Sequence, residues 1–431
     1  LRREEHQANG LCGTERLAQH LKLNKEIIMV SDIKESTMSI RTWVALFILA
    51  LSTFTIVTTE LAPVGLLTPI ANGLHASESE IGMTVSLYAW IGALSALFAS
   101  VFLGNFPKKI LLLSLTVVLF ISNVWSATVS SYEVLLAARV VGALAHGAFW
   151  AMIGATAVAM VPTKYLGVAT SIVFGGVSAA SVFGVPLSNY IGLNFGWRQA
   201  FWLMSILSVV AFVGMMWVVP NISVKSTIGL GALKNVLRSS TLWKIYSATL
   251  LAITAHFAAF TFIEPWLQTQ PALSAAFIPV VLFIYGIAGL AGNFLTGMLI
   301  DKYLKMTVSL SVLLIGIVLV ALGLEAQSLS RPLVLAAVML WGIAVSGIFV
   351  GFQTWVLRVA GEEAFPASAI YVSFFNAAIG IGASVGAWMV SALSLPALFV
   401  TAGVAIALSF LLVVFIPSDK PVTKKMMENI A

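Results

Sequence analysis

Twelve apolar runs, each long enough to cross a bilayer, constrain this chain more than any motif it carries. A helix rises about 1.5 Å per residue, so roughly 20 apolar residues match a hydrocarbon core of about 30 Å. Bounded by charges, Gly/Pro clusters and polar turns, the runs predict helices near 42–71, 80–103, 110–128, 132–160, 166–192 and 198–219. A second set is predicted near 243–268, 276–300, 306–325, 332–358, 366–391 and 395–416. Membrane strands are excluded, because they alternate apolar and polar residues over only about ten positions. Of the residues, 60% are hydrophobic and 9% charged, whereas soluble domains carry roughly 25% charged residues. Lipid is therefore the solvent, and the expected fold is all-α integral membrane, with twelve transmembrane helices in two pseudo-symmetric six-helix bundles.

Charge fixes the expected orientation. All but three of the 23 Lys and Arg residues fall in the polar segment through Arg41, in alternate loops, or in the tail with Lys420, Lys424 and Lys425. The exceptions are Arg139, inside a span, and Arg198 and Arg331 on the opposite side. The positive-inside rule then places both termini in the cytoplasm, which requires an even number of spans. Because these cations serve loops and tails instead of a basic face on a soluble domain, no nucleic-acid partner is expected. The sole cysteine, Cys12, excludes an intramolecular disulfide and a thiolate metal site.

The longest polar connection, Pro220 to Leu242, divides the chain. The expected organisation is a polar cytoplasmic segment 1–40, a bundle 41–219, a cytoplasmic linker 220–242, a bundle 243–416 and a cytoplasmic tail 417–431. No apolar core of signal-peptide type precedes the first span. Our working expectation is that translation starts at Met38, the residues before it being an upstream extension. The halves match at an offset of about 200 residues, as parallel transporter repeats do. Gly147-Ala148-Phe149 aligns with Gly347-Ile348-Phe349, Gly104 with Lys108 and Lys109 aligns with Gly297 with Asp301 and Lys302, and Glu60 before Pro63 aligns with Glu264 before Pro265.

Ionisable groups inside a span cost at least about 2.5–3.5 kcal/mol each on insertion scales, so every one retained needs a reason. Glu60, Arg139, His146, His256 and Glu264 lie within predicted spans, all in the first, fourth and seventh helices. His146 stands two turns from Arg139 on the same helix face. One reading is a cluster that loads and releases protons; the other is that the glutamates sit in the headgroup zone and Arg139 pins helix-end carbonyls. Gly175-Gly176 and Gly184-Val185-Pro186 in helix five, and Gly380, Gly382 and Gly386 in helix eleven, allow close packing and bending, which makes Gly184 and Pro186 candidate gating positions. Tyr88, Trp90, Trp150, Asn293, Gln353 and Asn376 offer amides and flat aromatic faces, the groups that hold a hydroxylated or aromatic solute. Trp43, Trp197 and Trp217 at span ends are expected in the interfacial belt.

Enzymatic constellations are missing: there is no GxxxxGK[ST], HExxH or Cys/His metal spacing. No cofactor is expected, and energy has to come from a gradient.

Over residues 40–416 these features resemble the major facilitator superfamily, in particular its bacterial drug:proton antiporter branch. Thr59-Glu60-Leu61-Ala62-Pro63-Val64-Gly65-Leu66-Leu67 looks like the helix-one motif, and Leu135 to Gly142 looks like the helix-four motif whose arginine, here Arg139, supports proton coupling. Gly184-Val185-Pro186, followed by Gly196-Trp197-Arg198, is similar to the helix-five antiporter motif. Tyr88-Ala89-Trp90, the stretch Ala145 to Trp150, and Thr254-Ala255-His256-Phe257 leading to Ile263-Glu264-Pro265 look like the sugar efflux transporters. The loop Gly104-Asn105-Phe106-Pro107-Lys108-Lys109 lacks the superfamily's acidic loop residue, whereas Asp301 retains it in the second half, making Asp301 the better gating candidate.

The resemblance implies a major facilitator fold in the bacterial inner membrane, acting as a monomer. It implies proton-driven efflux of arabinose-like sugars or related galactosides by alternating access, with protons, sugar and the lipid bilayer as partners. The same scaffold would also serve a multidrug or purine nucleoside exporter, and more remotely a non-transporting sensor.

Overall fold

The computed structural model describes residues 38–103, 106–162, 165–221, 230–325 and 328–417. The expectations for Cys12, Gly104, Lys164, Lys225 and the lysines of the tail fall outside these residues.

The first half is built from α1 (Ile40–Gly65), a short α2 (Leu67–Leu74), α3 (Glu78–Phe102), α4 (Lys108–Thr128), α5 (Tyr132–Ala159), α6 (Leu166–Ala179), α7 (Val185–Phe195) and α8 (Trp197–Val218). The second half follows α9 (Leu230–Arg238) with α10 (Ser240–Thr261), a short α11 (Ile263–Gln268), α12 (Ile278–Leu324), α13 (Arg331–Ala360), α14 (Ala364–Ala392) and α15 (Leu395–Val414). Among the described residues, ten helical segments are long and apolar enough to cross a membrane. One of them covers Ala275–Leu324 and makes two crossings, broken at Tyr303 (φ −129°, ψ 35°). With α10, which is shorter on apolar residues because of Ser240, Lys244 and His256, twelve traverses result. The molecule is a multi-pass membrane protein.

Proline explains where the expected helices break. The run predicted as 42–71 stops at Leu66, three residues after Pro63, and restarts as α2. The run predicted as 243–268 breaks at Phe262, three residues before Pro265. In helix five, Pro186 withdraws a backbone N–H, and the preceding residues Ala180–Gly184 widen into a π-turn between α6 and α7. The predicted linker 220–242 is not wholly irregular, since it contains α9. Capping is conventional where it occurs: Ser77 and Glu80 form a capping box that starts α3.

Pseudo-symmetry shows in the struts at the face carrying both termini. Arg41 donates to the Trp217 carbonyl at 2.9 Å, and Lys109 to that of Met216 at 2.8 Å. In the second half Lys244 donates to the Phe415 carbonyl at 3.5 Å, and Lys305 to those of Val414 and Ile416, both at 2.8 Å. Each half thus ties the starts of its first and third crossings to the end of its sixth. The aligned glycines do not pack equivalently, since Gly147 meets the second crossing of its half and Gly347 the third; the first-half counterpart of the Gly347–Ser311 contact is Gly142 on Ser122. Gly147 packs on the Gly92 carbonyl and Gly347 on the Ser311 hydroxyl, both without room for a Cβ.

A Cβ at position 147 would overlap the Gly92 carbonyl and stand 2.7 Å from the Ala96 nitrogen, both rigid backbone groups. Gly147→Val should therefore lower the thermal unfolding midpoint of the detergent-solubilised protein, overpacking costing about 1–3 kcal/mol. Gly154→Ala, with only Phe174 at 3.9 Å, should leave it unchanged.

The halves meet along two seams, α3 against α14 and α12 against the π-turn and α7. Gly286 makes the second possible, because a Cβ there would lie 2.5 Å from the Ser181 carbonyl. Trp197 departs from the interfacial expectation. It is buried against Gly73, with the Arg198 guanidinium 4.3 Å over its ring, whereas Trp217 is 72% exposed.

Candidate functional site

Pro63 is the local origin of the site. Lacking an N–H, it leaves the Thr59 carbonyl without its i+4 donor inside α1. Arg139 of α5 fills that place, with Nη1 donating to Thr59 O at 2.6 Å and Nη2 to Glu60 O at 3.0 Å. The guanidinium is fully buried and lies over the Tyr88 ring, 4.1 Å from its centroid. Asn123 of α4 donates to the Thr59 hydroxyl at 3.1 Å, so two helices, α4 and α5, grip one point on α1.

Two turns along α5, His146 Nε2 stands 3.7 Å from Glu60 Oε2, close enough to pair if the imidazole is protonated. Its ring meets the edges of Tyr88, at 5.3 Å between centroids, and Trp150, at 6.2 Å. Three of the five candidate proton-coupling residues, Glu60, Arg139 and His146, thus come together with Tyr88. Glu60 Oε1, Tyr88 OH, Arg139 Nε and His146 Nδ1 are all buried without a hydrogen-bond partner among the described residues. Such groups are costly unless water or a proton transfer uses them.

The other two stand apart. His256 lies among Phe257, Phe260, Trp341 and Phe349, and its Nδ1 accepts from the Trp341 indole at 3.1 Å. That bond assigns the remaining ring hydrogen to Nε2 in a neutral imidazole. Glu264 is buried at the opposite face, where Thr68 N of α2 donates to Oε2 and Gln268 Nε2 to Oε1, each at 3.0 Å. It is a tie between the halves.

The same face is closed by further cross-half contacts. Ser79 donates to the Ala387 carbonyl at 2.6 Å and Ser86 to that of Gly380 at 2.7 Å; Ser86 also bonds Ser384, and Phe262 fills the space beside Gly82.

Toward the face bearing the termini, a cavity of about 130 Å³ lies between the halves. Ala96, Leu97, Trp150 and Ala151 line it from the first half, and Ser368, Ala369, Val372 and Ser373 from the second. These positions belong to the closing turns of α3, the later half of α5 and the opening turns of α14, which places the cavity on that side.

Of the six candidate binding residues, Trp150 lines the cavity, and Gln353 reaches its wall by donating to Ser368 Oγ at 3.0 Å. Asn376 turns back on its own helix, donating to the Val372 carbonyl at 2.9 Å, with Oδ1 near Gly92. Tyr88 belongs to the Arg139 cluster, Trp90 packs on Gly380 in the α3–α14 seam, and Asn293 is half-buried on α12 outside the cavity lining. Of the gating candidates, Gly184 lies against Thr58 of α1, with room for no Cβ, and Pro186 follows the π-turn. Asp301 pairs with Arg358 of its own half at 2.7 Å, its side chain 88% exposed. Such an exposed pair contributes about 0–1 kcal/mol. Ser368, Ser373 and Thr68 were not foreseen, because a serine or threonine in a membrane helix ordinarily satisfies itself on its own i−4 carbonyl.

Twelve crossings in two equivalent halves, a buried charge cluster and a solute-sized cavity between the halves define a membrane transporter. The chain belongs to the major facilitator superfamily, whose sequence model matches residues 42–365 and again 245–428. Solved structures agree on the fold. The human organic anion transporter MFSD10 (TETRAN) superposes with a TM-score of 0.65 at 15% identity, covering 88% of this chain and 100% of that one. A POT family transporter in complex with 5-aminolevulinic acid gives 0.72 at 12% identity, covering 86% and 95%. A mutant of the nucleoside transporter NupG gives 0.70 at 13%, covering 86% and 98%.

Proposed function

We propose that the protein exports a small neutral sugar, of arabinose or galactoside type, in exchange for protons, across a bacterial inner membrane with its termini in the cytoplasm. The observation that carries this reading is the buried Glu60–His146 pair, joined through Trp150 to a cavity whose lining, among the described residues, includes no ionisable side chain. An uncompensated charge is expensive at this depth, so the pair's proton content sets which arrangement of the halves is favoured. Arg139 grips α1 at Thr59 and Glu60, so a change of charge on Glu60 is transmitted to the backbone of that helix. In this cycle sugar enters from the cytoplasmic side, the halves rock, and a proton from outside loads the pair as the sugar leaves.

Cavity size favours a sugar over a drug-sized cargo. Pockets for drug-sized ligands run about 300–1,000 Å³, well above the 130 Å³ found here. The Trp150 face suits the apolar face of a sugar ring, and the serines suit its hydroxyls.

The test is efflux of radiolabelled arabinose from loaded proteoliposomes under an imposed proton gradient. Wild-type protein should move the sugar uphill and fall to the leak rate when a protonophore collapses the gradient. Glu60→Gln should retain sugar exchange at equilibrium but lose uphill movement. Flux indifferent to the gradient, or full uphill movement by Glu60→Gln, would refute the coupling.

A further inference from the structure

Three polar side chains of α14 share one habit, and Ser368 departs from it. Ser373 donates to the Ala369 carbonyl at 3.1 Å, Asn376 to that of Val372 at 2.9 Å and Ser384 to that of Gly380 at 2.9 Å. All three spend a hydrogen on the helix backbone four residues back, as such residues do in membrane helices. Ser368 does not. Its oxygen accepts from the Gln353 amide of α13, and among the described residues its hydroxyl hydrogen has no acceptor. Ser368 lies in the cavity wall, so that hydrogen is available to a cargo.

Ser373 occupies the same wall with the opposite chemistry. Its hydrogen is committed to Ala369, which leaves its oxygen lone pairs to accept. The Trp150 ring supplies an apolar plane across from them on α5. One donor, one acceptor and one flat apolar face, with no charged side chain among the described lining residues, match a neutral hydroxylated ring.

We infer that Ser368, oriented by Gln353, is the donor that selects a neutral hydroxylated solute, and that Ser373 is its accepting counterpart. The inference deepens the sugar-export reading and rests on it for the cargo class. Gln353 is a positioning residue in this arrangement. Without its amide, Ser368 can turn its hydrogen to the Ala364 carbonyl and be lost to the cargo.

The experiment measures counterflow in proteoliposomes for wild type, Ser368→Ala, Ser368→Thr, Gln353→Ala and Ser373→Ala. The cargoes are arabinose and a set of its monodeoxy analogues. Ser368→Ala should raise KM for arabinose about tenfold, as expected for about 1.4 kcal/mol of lost hydrogen bonding, with little change in the maximal rate. One deoxy analogue should be indifferent to the substitution, because it already lacks the partner oxygen. Ser368→Thr should restore the wild-type KM, and Gln353→Ala should give an intermediate rise.

An unchanged KM in Ser368→Ala, or an equal loss for every analogue, would overturn the inference. If wild type moves no arabinose, the sugar reading fails separately. The same variants are then run with a pentose, hexose, polyol and nucleoside panel. A solute carried alike by wild type and Ser368→Ala, or no carriage of any of them, overturns the Ser368 assignment as well.

Discussion

Arg139→Lys should abolish uphill transport while leaving the protein folded in the membrane. A lysine keeps the charge but presents a single ammonium in place of the planar fork that reaches two carbonyls at once. It can satisfy Thr59 or Glu60, and the other grip on α1 is lost. Arg139→Ala removes both grips and leaves the Thr59 carbonyl buried and unpaired, at about 1.5–3 kcal/mol for each charged hydrogen bond lost.

The proline offers a way to separate the two roles. Pro63→Ala restores a backbone N–H that can pair the Thr59 carbonyl within α1. Combined with Arg139→Ala, it should recover much of the thermal stability but none of the uphill transport. Thermal unfolding in detergent and gradient-driven flux, measured on the single and double variants, give the two readouts. Recovery of both together would reduce Arg139 to a structural pin, and recovery of neither would mean that Pro63 is not the source of the unpaired carbonyl.

Glu264 is expected to act on the opposite face. Its carboxylate joins Thr68 of one half to Gln268 of the other, alongside the Ser79 and Ser86 ties. Glu264→Ala removes an interaction of about 1.5–3 kcal/mol, which corresponds to a roughly tenfold to hundredfold rise in the population open at that face. With Cys12→Ser as background and Ser86→Cys as reporter, a membrane-impermeant maleimide added from that face should react faster by that factor. Glu264→Gln, which keeps one acceptor, should fall between. An unchanged labelling rate would show that the seam closes without this tie.

The spans were legible in the sequence because bilayer thickness and hydropathy leave little freedom, and the cations marked which loops share a side. The helix breaks were less so. Apolar residues continue through Leu66 and Phe262, so composition gives no sign of the interruption, although Pro63 and Pro265 stand three residues away. In the site, Glu60, Arg139 and His146 were readable because charge in a membrane helix is conspicuous. What the sequence could not say was that they converge while His256 and Glu264 do not, since helix rotation decides that. Ser368 was invisible for a different reason. It becomes unusual only through Gln353, fifteen residues away on another helix.

The rim cations carry a last consequence. Arg41, Lys109, Lys244 and Lys305 are each engaged by carbonyls of their own half, so none of these bonds bridges the halves. Ala96 and Leu97 face Ala369 and Val372 across the cavity. Shutting that mouth would bring apolar walls together, whereas the other mouth is shut by hydroxyls, an amide and a carboxylate. The two mouths therefore answer to different conditions. Cooling weakens an apolar closure, and acid loosens one held by a carboxylate, so temperature and pH should push the cycle toward opposite ends.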